Sequence, residues 1–459
     1  MAERDIRRLP SKSAGLAVGR LVGHLRVPLY GGAYALIVSS SATSVLGLLY
    51  WTLAARLLGT AEVGVNAAAI SAMVFLSYLA QFNLAGALAR FVPTAGRTTS
   101  RLVIGAYGVA ALASGIAATV FVLGVEIWAP NVRPIVGNTA LAVWFVLATM
   151  AWSLFALQDS VLTGLRRTVW VPIENVIFAI AKIALLVVLA RTAADVGVFA
   201  SWTIPAAIAV LPVNWLIFRR FIGAHAARGA DKPAEGTPRL IVRYLSGDYL
   251  GSLCVSAATG LLPLIILSVV GASGSAYFYM AWTIAYSLQL ISVNSALSLT
   301  VEGAARQADV AHSLRRIMWL LVRIQVPIVT GVIIFAPLIL QLFGRAYADE
   351  ASTQLRLFAI GVLPHAVNSV FLSLARIRRQ IVWLFAIQGA EATLLIGMSL
   401  LLLGPMGITG VGVAFAVSQS AIAGLLLATR LRPFLMPGAM LVETEAPPAA
   451  PSDAGPQRW

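Results

Sequence analysis

Cysteine is almost missing from this 459-residue chain: Cys254 is the only one, which excludes an internal disulfide and a cysteine-rich metal site. Charge is scarce as well. Charged residues make up 11% of the sequence, against roughly a quarter in a soluble domain, and acids are the scarcer sign, 18 against 33 Lys and Arg. The four histidines, His24, His225, His312 and His365, are scattered. No GxxxxGK[ST] phosphate loop and no HExxH or CxxC spacing occurs, so the sequence offers no ATP-hydrolysing site, no metal site and no catalytic constellation. It implies no cofactor and reads as a non-enzyme.

What the chain has instead is apolar surface. Hydrophobic residues make up 59% and the mean hydropathy is +0.87, more than one water-solvated core can hide. A membrane-crossing helix needs about 20 mainly apolar residues. Twelve segments meet that length, at 32–56, 64–90, 101–124, 139–162, 170–191, 198–218, 244–270, 275–300, 315–336, 354–375, 381–403 and 408–430. The expected fold is an all-α polytopic membrane protein. The net charge of +15 sits mostly in alternate connections, where it faces anionic headgroups and fixes orientation, rather than in a stripe suited to nucleic acid. Only Arg56, Arg133, Arg191 and Arg345 fall in the opposite set of loops. Positive residues stay inside, so the expected site is the bacterial cytoplasmic membrane with both termini cytoplasmic.

The domain boundaries follow: a basic N-terminal segment at 1–31, a six-helix lobe at 32–218, a Gly/Pro-rich cytoplasmic linker at 219–243, a second six-helix lobe at 244–430, and a Pro/Ala-rich tail at 431–459 that reads as disordered. One shift of 212 residues carries Leu58-Gly59 onto Val270-Gly271 and Leu165-Arg166-Arg167 onto Ile377-Arg378-Arg379, the mark of an internal repeat. An even number of helices per repeat makes the lobes parallel-related, about an axis along the membrane normal.

Ionisable groups inside spans are the informative residues, because a mid-membrane charge costs about 2.5–3.5 kcal/mol on insertion scales. Lys182 and Glu391 fall near the midplane, each open to a functional or a structural reading. Glu174, Asp248, Arg323 and Arg356 lie nearer span ends, where Arg323, Arg356 and Glu174 read as snorkelling or structurally paired. Asn66, Tyr78 and Gln81 on the second span, with Tyr286, Gln289 and Asn294 on the eighth, can line a hydrated path or bond between helices.

The stretch LLGTAEVGVNAAAISAMVFLSYLAQFNLAGALARFVPTAG, at 57–96, resembles the first helical hairpin of bacterial polysaccharide-biosynthesis membrane proteins. These are the oligosaccharide (O-antigen-type) flippases of the multidrug/oligosaccharidyl-lipid/polysaccharide exporter superfamily. Gly59, Gly64, Gly86 and Arg90 sit where that family has its turn glycine and small-residue helix end, and Gly164-Leu165-Arg166-Arg167 resembles its short basic loop. The resemblance covers about 32–430. It implies two lobes around a central cavity lined mainly by the first, second, seventh and eighth helices. It also implies alternating access, possible coupling to protons or sodium, and a lipid-linked glycan as substrate, with polysaccharide polymerases and glycosyltransferases as candidate partners. A diphosphate head calls for a cationic cavity, for which Arg56 and Arg90 are the candidates. The cavity helices lack several central arginines, which argues against lipid II. Two rivals remain: a multidrug cation antiporter, kept open by Asp248, and a membrane scaffold of a polysaccharide assembly complex. The 212-residue shift also places Arg90 opposite Glu302, a pair open to two readings, a cytoplasmic gate or two side chains that snorkel separately into the headgroup layer.

Overall fold

Apolar runs of this length can satisfy their backbone groups in lipid only by folding as helices or a closed barrel. The computed structural model describes residues 28–228, 238–305, 310–378 and 380–432, with side chains described from 43 to 227, 249 to 296, 312 to 378 and 380 to 432. Among these residues there is no strand. Twelve long helices follow in order: α1 Pro28–Leu57, α2 Thr60–Ala80, α3 Thr99–Leu123, α4 Thr139–Gly164, α5 Trp170–Thr192, α6 Ala194–Leu216, α7 Pro238–Val269, α8 Ala272–Ala305, α9 Val310–Gln341, α10 Arg345–Ile377, α11 Ile381–Met406 and α12 Ile408–Ala428. Among the described residues, ten helices are long and apolar enough to cross a membrane.

Side-chain placement is that of a protein whose solvent is lipid. On α5 the aliphatic Ile173, Ile177, Ile180 and Val188 are exposed while Glu174 and Lys182 are buried. Elsewhere Leu112, Ile208 and Leu401 face outward and the interior is rich in Ala and Ser, the small residues that let membrane helices pack closely.

The helix pairing repeats. In the first half α1 packs on α5, α2 on α4, α3 on α4, and α6 on α4 and α5; in the second, α7 packs on α11, α8 on α10, α9 on α10, and α12 on α10 and α11. The halves meet where α2 packs on α7 and α8 and where α1 touches α8. At that seam the first turns of α2 and α8 lie against each other. Thr60 and Ser273 share a hydroxyl hydrogen bond of 3.0 Å, and a Cβ on Gly64 would stand 1.8 Å from the Ala272 carbonyl oxygen and 3.0 Å from the Ala276 nitrogen. Gly64 and Ala276 are counterparts under the 212-residue shift, so equivalent residues meet face to face, as they do beside a two-fold axis. The two turn glycines differ: Gly271 has φ +91°, open to glycine at no steric penalty, whereas Gly59 has an ordinary φ of −70°.

The span expected at 64–90 is not one helix. It breaks after Ala80, where Phe82 (φ 46°) and Asn83 (φ 62°) enter the left-handed region, and resumes as a short helix, Leu84–Phe91. Asn tolerates that region and Phe does so at a steric penalty. The break frees carbonyls at the end of α2, and the Tyr249 hydroxyl of α7 donates to one of them, Leu79 O, at 2.6 Å, while its ring lies 5.8 Å from that of Phe82. The expected linker is also shorter: after α6 the chain stays helical through Arg228. The N-terminal segment before Pro28, the linker centre and the tail after Arg432 lie outside the described residues.

Candidate functional site

A cavity of about 570 Å³ lies at the junction of the two halves, lined by α1, α2, α7 and α8, with Trp152 of α4, Lys182 of α5 and Trp202 of α6 forming one wall. Its lining is aromatic and hydroxylic. Trp51, Trp202, Tyr279 and Trp282 bring ring faces to it, while Ser71, Ser256, Thr259, Thr283, Ser287, Tyr78 and Tyr286 bring hydroxyls. Among the described lining residues there is no carboxylate, and Lys182 is the single charged side chain.

Lys182 stands near the middle of α5 and is 5% exposed. Its ammonium lies 3.7 Å from the ring centroid of Trp202, 4.7 Å from that of Tyr50 and 5.0 Å from that of Phe178. A desolvated cation over aromatic faces gains about 2 kcal/mol per good contact, which offsets part of the burial penalty. The rings are fixed in turn. Tyr50 donates to Val198 O at 2.9 Å and pairs with the Ser201 hydroxyl at 2.9 Å, and Trp202 packs against Tyr50, Trp51 and Trp152. The cage thus joins three helices of the first half behind the cavity wall.

The polar residues singled out from the sequence divide sharply. Lys182, Tyr78 and Tyr286 line the cavity. Asn66 does not: it is fully buried, and its amide accepts from Phe199 N at 2.8 Å and donates to Asp195 O at 2.7 Å. Those are the two groups a regular helix would join to each other, so Asn66 splices into the first turns of α6. Gln81 is buried, with its amide 3.5 Å from Ser153 O, and Gln289 is buried while Asn294 is exposed; neither lines the cavity. Arg56 is engaged elsewhere. It crosses to the second half, where its guanidinium donates to the carbonyls of Gln341 and, at 2.9 Å, Leu342 at the end of α9. Arg90, on the short helix beyond the α2 break, is exposed and lies 5.7 Å from the Phe91 ring. The side chains of Asp248 and Glu302 lie outside the described residues, so neither the acidic feature nor the expected gate is placed.

Glu391 is buried in the second half beside Asn368, in a polar cluster where Asn368 donates to Gln419 Oε1 at 2.8 Å and His365 lies 3.3 Å from the same oxygen. It does not line the cavity and does not pair with Lys182; among the described residues the one ion pair is Arg133 with Glu126, at 3.4 Å on the surface. Arg323 is exposed over Trp319 at 5.5 Å, and Arg356 donates to Ile333 O of α9 at 3.1 Å.

Sequence reasoning missed the cage and most of the aromatic wall. The signal was present as Trp and Tyr recurring at 50–51, 202, 279 and 282 inside apolar spans, but within about two turns of the expected span ends, where such residues are ordinary interfacial anchors.

No family model matches this sequence, and no curated protein does so either. Solved structures do match. The lipid II flippase MurJ in an inward closed conformation aligns with a TM-score of 0.64 at 12% identity, over 87% of this chain and 89% of that one. A multidrug resistance MATE family transporter of the MOP superfamily, in its inward-facing conformation, aligns at 0.61 and 15% identity, over 86% of this chain and 93% of the other. The MATE multidrug transporter DinF-BH aligns at 0.55 and 13%, over 95% and 100%. At these identities the likeness is one of fold: the chain is a multi-pass membrane protein with the helical architecture of these transporters.

Proposed function

We propose that the protein translocates a lipid-linked oligosaccharide or polysaccharide precursor across the membrane by alternating access, with the glycan and its phosphate-bearing head in the central cavity and the lipid tail left in the bilayer. The observation that carries this reading is the charge of the cavity. Two unit charges 4 Å apart interact by roughly 4 kcal/mol at an effective dielectric constant near 20. The Lys182 ammonium therefore attracts a phosphate and repels an organic cation by comparable amounts, and no carboxylate among the described lining residues reverses the sign. Ring faces and hydroxyls suit the apolar faces and hydroxyl edges of sugars.

The aromatic wall also suits organic cations, and that favours the multidrug reading enough to require a direct test. Reconstituted protein is expected to move a polyprenyl-diphosphate oligosaccharide between leaflets, with Lys182→Met slowing it at least tenfold. Export of ethidium by the same vesicles, unchanged or improved by Lys182→Met and without glycan movement, would establish the antiporter instead.

A further inference from the structure

Two carboxylates flank the turn between α4 and α5. α4 ends at Gly164 and α5 begins at Trp170, so the helices run antiparallel through a short turn. Asp159 near the end of one and Glu174 near the start of the other each stand ~6–8 Å inside. No Lys, Arg or His meets either carboxylate within salt-bridge distance among the described residues. Glu174 is 6% exposed and neither of its carboxylate oxygens has a hydrogen-bond partner, so it neither snorkels nor pairs. Asp159, the part-exposed member, receives Asn175 Nδ2 at 3.2 Å and lies close enough to Glu174 to act on it electrostatically.

A third oxygen converges on the pair from α3. Tyr107 is 8% exposed, and its buried hydroxyl is also without a hydrogen-bond partner. Both carboxylates act on that hydroxyl, and the ring is set edge-on against Phe218 at 6.4 Å. Three helices thus turn oxygen toward one buried place. Like charges side by side in a low dielectric repel strongly, and buried polar atoms without partners are costly, so the cluster is most stable with a positive ion among its oxygens. Ligands that are all oxygen suit a hard cation and not a transition metal. Glu174, one side of Asp159 and Tyr107 offer fewer oxygens than the roughly six to eight that calcium takes, which points to a monovalent ion.

We infer that Glu174, Asp159 and Tyr107 form a binding site for a monovalent metal cation of the sodium class, which ties α3, α4 and α5 together at this end of the first half. Glu174 supplies the buried charge. Asp159, held by Asn175, supplies the second carboxylate on the part-exposed side where the ion enters, and the Tyr107 hydroxyl turns a lone pair to the ion. Asp159 also acts on the hydroxyl of Tyr78, which lines the central cavity. The ion therefore stands behind the cavity wall without being part of it, and its binding does not depend on what the cavity carries.

Isothermal titration calorimetry of sodium chloride into the full-length protein in detergent, against choline chloride at equal ionic strength, tests this. A saturable response is expected for sodium and none for choline, with a thermal midpoint that rises as the site fills. Glu174→Gln and Asp159→Asn are each expected to abolish the sodium response. Tyr107→Phe, which keeps the ring and loses the oxygen, is expected to weaken it several-fold, and it covers the case of a carboxylate variant that does not fold. No difference between sodium and choline, a response to calcium but not to sodium, or a sodium response of wild-type strength in Tyr107→Phe or in either carboxylate variant overturns the site.

Discussion

Arg56, the last charged residue of α1, donates to the carbonyl of Leu342 at 2.9 Å just past the end of α9, so a side chain of the first half caps a helix of the second. A guanidinium on the terminal carbonyls of a helix satisfies groups that have no intrahelical donor and complements the negative end of the helix dipole. The contact belongs to the end of the molecule where Thr60 meets Ser273, and it holds the halves together there. Exposure limits its worth to about 1 kcal/mol, which still shifts a balanced equilibrium roughly fivefold. Arg56→Ala is therefore expected to lower the yield of a disulfide cross-link engineered at Thr60→Cys and Ser273→Cys by a few-fold, with no change in the amount of inserted protein. An unchanged yield would mean that Arg56 plays no part in closing that seam.

Gly64 has a stronger effect at the same seam. The Ala272 carbonyl oxygen would stand 1.8 Å from a Cβ there, and because it is backbone it cannot rotate away. Gly64→Ala is expected to force α2 and α8 apart, at roughly 1–3 kcal/mol by analogy with overpacked cores. A lower thermal midpoint in detergent, accompanied by weaker Thr60 to Ser273 cross-linking, is the expected result; a wild-type midpoint would show that the helices separate freely.

The aromatic cage predicts a graded response at Trp202, whose ring is the nearest to the Lys182 ammonium, 3.7 Å from centroid to nitrogen. Trp202→Phe keeps a weaker face and Trp202→Leu removes it, so glycan translocation in proteoliposomes is expected to fall modestly in the first and about tenfold or more in the second, the scale of a desolvated cation–π contact. Equal activity in the two variants would detach the cage from transport.

Much of the fold was legible in the sequence, because apolar runs and basic turns mark helix limits directly. The span expected at 170–191 is α5, Trp170–Thr192, and that at 381–403 is α11, Ile381–Met406. The break after Ala80 was not legible, since polar residues such as Gln81 and Asn83 also occur inside unbroken spans, where they bond between helices, and two left-handed residues leave no mark on periodicity. The cavity was read only in part for a different reason. Polar side chains in a packed helical bundle are spent first on backbone groups, which is why Asn66 is found between Asp195 and Phe199 and Arg56 at the end of α9. What remains to meet a ligand is ring face, hydroxyl and one lysine.

Arg356 gives the sharpest test of that principle. It looks like an isolated membrane charge, yet its guanidinium donates to Ile333 O at 3.1 Å, and Ile333 stands four residues before Pro337 in α9. A helix would satisfy that carbonyl with the N–H of residue 337, which proline lacks. Arg356 thus supplies from α10 the donor that Pro337 withholds from α9. Removing the arginine leaves a carbonyl in the packed bundle without its donor, a loss of about 1–3 kcal/mol, so Arg356→Leu is expected to lower the thermal midpoint in detergent. Pro337→Ala restores an N–H at the right place in the helix. In the Arg356→Leu background it should recover a large part of the loss, whereas alone it should change stability little, because the carbonyl already has a partner. A coupling energy near zero between the two substitutions would show that the arginine and the proline act separately and that Arg356 is in α10 for another reason.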